Sequence, residues 1–99
     1  MSDNRRQELN RRTEIKPGKI TVKIIDEEVG IRRIERVKAI RIQSDEYVLL
    51  MMEDYSPTLG EIDGKITFIT AEDETIYDKV KGFYRLSGNE FSFVISEKE

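Results

Sequence analysis

Side chains able to do acid–base chemistry gather at four places: Asp26-Glu27-Glu28, Asp45-Glu46, Glu53-Asp54 and Glu72-Asp73-Glu74. General acid–base catalysis needs two carboxyl groups aimed at one substrate atom, in surroundings that separate their pKa values. All four groups fall in segments that read as turns, where Asp suits the backbone geometry, so we read them as solvated turns. Glu72-Asp73-Glu74 is contiguous, whereas a calcium loop sets its acids at alternate positions around a sharp glycine turn. The glycines, Gly18, Gly30, Gly60, Gly64, Gly82 and Gly88, are scattered and form neither a P-loop nor a dinucleotide fingerprint. His and Cys are both absent. Their absence excludes disulfides, thiolate metal sites and Cys–His or Ser–His catalysis, and argues against a transition-metal centre. The expectation is a non-enzyme with no cofactor, any activity having to rest on carboxylates or Tyr alone.

Charge is divided unevenly along the chain. Residues 1–41 carry 12 Lys+Arg against 7 Asp+Glu, and residues 42–99 carry 5 against 13. Arg5, Arg6, Arg11 and Arg12 make a basic arm; Arg32, Arg33, Arg36, Lys38 and Arg41 make a basic stretch. Together they are the candidate patch for an anionic partner, since phosphate contacts need such charge. Binding of single-stranded nucleic acid adds aromatic faces for the bases. The basic stretch contains none: Tyr47, Tyr55, Tyr77 and Tyr84 all sit in the acidic half. A sequence pI of about 5.1 argues further against nucleic acid. A protein partner is the expected one.

The apolar residues indicate sheet. Ile occurs 13 times and Val 6 times, against 5 Leu and 2 Ala. β-Branched side chains lose rotamer freedom on a helix and pack well on a pleated surface. Residues 19–25 alternate, with Ile20, Val22 and Ile24 on one face. Residues 29–43 read as a strand with a bulge near Arg32-Arg33. Residues 47–52 (Tyr-Val-Leu-Leu-Met-Met) form an apolar run whose length fits a strand buried on both faces. Met51-Met52 with Tyr47 fits either core or a soft interaction surface. Short strands follow at 65–70, 75–80, 83–86 and 90–95, with turns at Asp63-Gly64, Glu72-Asp73-Glu74 and Ser87-Gly88-Asn89. Gly82, set within apolar sequence, predicts a bulge or a close backbone approach. The expected fold is mostly β: an antiparallel β-sandwich or small barrel of about seven to eight strands.

Three regions result: a basic N-terminal arm at 1–18 that is either a short helix capped by Ser2 or Asp3 or a mobile arm, a single domain at 19–96, and a polar tail at 97–99. The chain is long enough for one core. No apolar run approaches the ~20 residues needed to span a bilayer, and Met1-Ser2-Asp3-Asn4-Arg5-Arg6 has no apolar segment behind it. A cytoplasmic location without membrane insertion is expected.

The segment 53–95 resembles the N-terminal β-sandwich domain of the epsilon subunit of rotary ATP synthases. Pro57 falls at the Pro of that family's Gly-His-x-Pro loop. Ile62 and Gly64-Lys65-Ile66 look like the segment after it, Val80-Lys81-Gly82-Phe83 like its Gly-Phe strand, and 89–95 like its closing strand. Residues 20–25 and 37–42 match its first strands, so the likeness spans roughly 19–96. The chain departs from the family where Asp54 and Tyr55 replace the loop's Gly and His, and where Val48 and Leu50 stand in place of a frequent Glu and Gly. In the family that edge faces the membrane ring of c subunits. The family's C-terminal helical hairpin, with its ATP-sensing and inhibitory roles, has no counterpart before Glu99. The resemblance implies a non-catalytic structural subunit, membrane-peripheral only through a complex, that docks on the central stalk by packing an apolar patch of Tyr55, Pro57 and Leu59.

Overall fold

Alternating Ile and Val segments become strands because each places one β-branched face inward. The structure, a computed structural model, describes residues 17–98. Residues 1–16 of the expected arm at 1–18, with Arg5, Arg6, Arg11 and Arg12, lie outside the described residues. Within them the chain is all β, with six strands: β1 (Ile20–Asp26), β2 (Gly30–Ser44), β3 (Val48–Met52), β4 (Thr58–Thr70), β5 (Glu74–Ser87) and β6 (Glu90–Lys98). The order β1-β6-β5-β4-β2 closes through a β1–β2 pairing into a five-stranded barrel, and β3 extends the sheet beside β2. Every pairing is antiparallel except β1 with β6, which run parallel and seal the barrel.

Six strands replace the expected seven or eight because two are long and bent. Asp63-Gly64 does not turn the chain; Gly64 lies inside β4 at a register shift, opposite the extra residues of β5 where Lys79 takes a φ of 54°. The segments expected at 75–80 and 83–86 are likewise one strand, β5. In β2 the irregularity falls at Arg36 (φ 59°) and Lys38, not at Arg32-Arg33. A bulge adds a residue to one strand only, which bends it and raises its twist. That bend lets β2 pair with β1 over its first half and with β3 and β4 over its second, turning the corner a small barrel requires.

The core holds Ile20, Val22, Ile24, Val37, Ile40, Ile42, Met51, Ile62, Ile66, Phe68, Val80, Leu86, Phe91, Phe93 and Ile95. Its centre is aromatic: Phe91 stacks on Tyr84 at 5.6 Å and meets Phe68 edge-on at 5.8 Å. Gly88 and Asn89 form the β5–β6 hairpin with φ of 55° and 61°, as the Ser-Gly-Asn sequence predicts. The run 47–52 departs from expectation. Met51 is fully buried, but Val48, Leu50 and Met52 are 72%, 50% and 54% exposed. The strand pairs only with β2 among the described residues, which leaves its other edge unpaired, and its outward side chains are exposed.

At one end of the barrel Lys98 donates to Asp26 at 2.6 Å, and the Glu28 backbone N–H donates to the same carboxylate at 2.9 Å. The Lys98 hydrogen bond, then that of Glu28, holds the Asp26 carboxyl below its ordinary 3.8, and Asp26 in turn raises Lys98 above 10.5. A lowered acid contributes stability above its unfolded value and loses it as pH falls through the folded one; a raised base contributes below its unfolded value and loses it as pH rises. The pair therefore supports the fold across neutral pH. We expect Asp26→Asn to lower the urea midpoint at pH 7 and to flatten its decline below pH 4; an unchanged acid limb would contradict this role.

Candidate docking face

Cross-strand register sets which side chains meet on the outside of the barrel. Residues directly opposite share a face at about 5 Å. Ile31 lies opposite Ile25, Ile25 beside Val94, and Val94 opposite Phe83. Four strands thus carry one continuous apolar row on their outer surface, ending at Glu61 opposite Phe83. Ile31, Phe83 and Val94 are 63%, 54% and 41% exposed, and Ile25 is half-buried. The neighbouring row is basic: Arg33 opposite Lys23, Lys23 beside Ser92, Ser92 opposite Arg85, and Arg85 opposite Leu59. On the other flank Lys81 lies opposite Asp63 and pairs with Glu97 at 3.6 Å.

Of the sequence candidates Tyr55, Pro57 and Leu59, Pro57 and Leu59 stand at the corner of this face. All three are exposed, and Leu59 is 76% so. Leu59 joins the outer surface one step along β4 from Glu61, and Pro57 lines a shallow groove with Leu59, Arg85 and Ser87. Asn89 holds the loop before β4 in place. Its Oδ1 accepts the Asp54 backbone N–H at 2.7 Å, its Nδ2 donates to the Asp54 carboxylate at 3.0 Å, and its carbonyl accepts the Thr21 N–H at 2.9 Å. Asn tolerates the left-handed turn conformation and bonds the loop as well. We expect Asn89→Gly to keep the hairpin but speed hydrogen exchange at the Asp54 amide. Asn89→Ala should add about 1–2 kcal/mol of backbone strain, seen as a lower urea midpoint. Equal exchange in wild type and Asn89→Gly would show that the tie does not order the loop.

The basic stretch is distributed over β2 and not gathered in one place. Arg32 donates to the Tyr77 hydroxyl at 3.2 Å, linking β2 to β5 although the two strands are not paired. Arg33 belongs to the outer basic row. Arg36 sits at the bulge and Lys38 is half-buried beside it. Arg41 lies opposite Leu50 and Thr67, away from that row.

A groove of about 540 Å³ gathers Asp45, Glu46, Tyr47, Glu61, Asp63, Lys81 and Phe83. Its carboxylates are all exposed, and no group of three acids among the described residues is placed to hold a metal ion. Tyr47 donates to the Glu61 carbonyl and meets the Tyr84 hydroxyl at 3.1 Å. Burial pushes its pKa well above the ordinary tyrosine value, and Tyr84, Asp45 and Glu61 add to the effect. The hydroxyl stays protonated and acts as a structural donor.

No family model matches the chain, and no curated protein matches it in sequence. Among solved structures it is similar to a chain in the cryo-EM structure of the Tetrahymena thermophila mitochondrial ATP synthase central stalk and c-ring, with a TM-score of 0.63 and 11% identity. The match covers 84% of this chain and 67% of that one. The fold is therefore one found in rotary ATP synthases: a small closed β domain.

Proposed function

We propose that this chain is a non-catalytic interaction domain held by another protein through the row Ile31, Ile25, Val94 and Phe83, extended at its corner by Leu59, Pro57 and Tyr55. The carrying observation is that four strands align exposed apolar side chains into one row, where an isolated sheet would alternate to polar residues. Contiguous exposed apolar surface of this kind marks interaction sites. The flanking cations Arg33, Lys23 and Arg85 suit a partner that presents an apolar stripe bordered by acids. The fold likeness and the resemblance of 53–95 to the epsilon sandwich both support a stalk partner.

The test is co-expression with the central-stalk subunit of the host's own rotary ATPase. A stoichiometric complex on size exclusion is expected, weakened by about 30-fold or more in Phe83→Asp, a hot-spot-sized loss. Circular dichroism of the variant should be unchanged, because Phe83 lies outside the core. No complex, or equal binding by variant and wild type, would reject the proposal. Retention on nucleic acid with steep salt dependence would favour the alternative, a small β-barrel gripping an anionic partner through its arginines.

A further inference from the structure

β3 stands at the end of the strand order and pairs only with β2 among the described residues. Its hydrogen-bond phase follows from one contact: the Ser44 N–H donates to the Tyr47 carbonyl at 2.8 Å. Antiparallel partners alternate between pairs that exchange both bonds and pairs that exchange none. Ser44 and Tyr47 continue the register of Gln43 with Val48 and Ile42 with Leu49. The bonded pairs are then Tyr47, Leu49 and Met51, while Val48, Leu50 and Met52 turn their N–H and C=O groups away from β2. The Met52 carbonyl accordingly accepts the Tyr55 N–H at 3.3 Å. The same three residues carry the exposed side chains.

Natural edges are blunted by Lys, Pro, bulges or covering loops. None of these guards lies within Val48-Leu49-Leu50-Met51-Met52. Acids stand at both ends instead: Asp45 and Glu46 before it, Glu53 and Asp54 after. Neither Glu46 nor Glu53 is in an ion pair among the described residues. This arrangement selects against a second copy. Antiparallel self-pairing centred on Leu50 would set Glu46 of one chain against Asp54 of the other, and like charges facing across strands repel.

We propose that the β3 edge accepts an added strand from a partner: an extended segment with apolar side chains at alternate positions and Lys or Arg at both ends. Such strand addition takes affinity from main-chain hydrogen bonds and specificity from the flanking side chains. Val48, Leu50 and the Met52 N–H supply the bonds, and the three side chains the apolar contacts; the four acids fix the register and the charge of the guest. This site uses none of the residues of the outer row on β1, β2, β5 and β6.

The experiment titrates the full-length protein with Lys-Lys-Val-Thr-Ile-Thr-Val-Lys-Lys and with the same core flanked by glutamates, followed by amide NMR. The basic peptide should protect the amides of Val48, Leu50 and Met52 and bind about 10-fold or more tighter than the acidic one, a gap that narrows in high salt. Leu50→Pro should abolish that protection while sparing the β2–β3 ladder, since it removes only an outward N–H; Leu50→Lys serves if the proline variant fails to fold. No binding at millimolar peptide, equal binding of the two peptides, protection elsewhere, or concentration-dependent pairing of protein through β3 would each overturn the proposal.

Discussion

Phe91→Ala is expected to destabilise the domain by about 3–5 kcal/mol, as truncation of a large buried aromatic does. Phe91 is 1% exposed and touches both Tyr84 and Phe68. Its loss leaves a cavity between them, and the closed sheet limits how far the walls can collapse. Small domains are stable by only about 5–15 kcal/mol, so the variant should be marginal at 37 °C. Urea unfolding followed by far-ultraviolet dichroism measures this, and a loss below about 1 kcal/mol would show that the barrel collapses around the gap. Phe83→Ala provides the contrast, because Phe83 is 54% exposed on the outer face and should cost little in the isolated protein.

The second large effect concerns two glycines that face different obstacles. A Cβ on Gly82 would lie 2.2 Å from the Val94 backbone oxygen, and one on Gly60 would lie 2.3 Å from the Tyr84 hydroxyl. A backbone carbonyl in the β5–β6 ladder cannot move without disturbing the pairing. A side-chain hydroxyl can tilt, though the Tyr47 contact and the stack on Phe91 oppose it. Overpacking costs about 1–3 kcal/mol and occasionally more. Gly82→Ala should fall at the upper end, near 3 kcal/mol, and Gly60→Ala nearer 1. The order of the two urea midpoints is the check, and the reverse order would mean that the ladder yields more readily than the tyrosine pair.

Much of this architecture was legible in the residues. Ile20, Val22 and Ile24 alternate, as do Phe91, Phe93 and Ile95, and both sets lie in the core. Gly82 inside apolar sequence predicts a bulge or a close backbone approach, and the structure shows a register shift there and the Val94 carbonyl close by. Tyr55, Pro57 and Leu59 follow only from the resemblance of 53–95 to the epsilon sandwich, and all three are exposed. The outer row was present as a weaker signal: Ile25, Phe83 and Val94 each occupy the polar phase of an alternating strand. The residues alone do not single them out, because an apolar residue out of phase is also what a strand buried on both faces shows. The run 47–52 departs from its expected two-sided burial for the same reason in reverse.

Side-chain type and period thus determined by themselves that the chain is β, which faces turn inward and that neither thiol nor imidazole chemistry is available to it. Only the tertiary structure decided that β1 closes on β6 in parallel, that bulges at Arg36 and Lys79 carry β2 and β5 around the corners, and that β3 keeps an open edge. Alternation is a property of one strand and its two faces. Register, closure and exposure are properties of pairs of strands distant in sequence, and they depend on which partner each long bent strand meets.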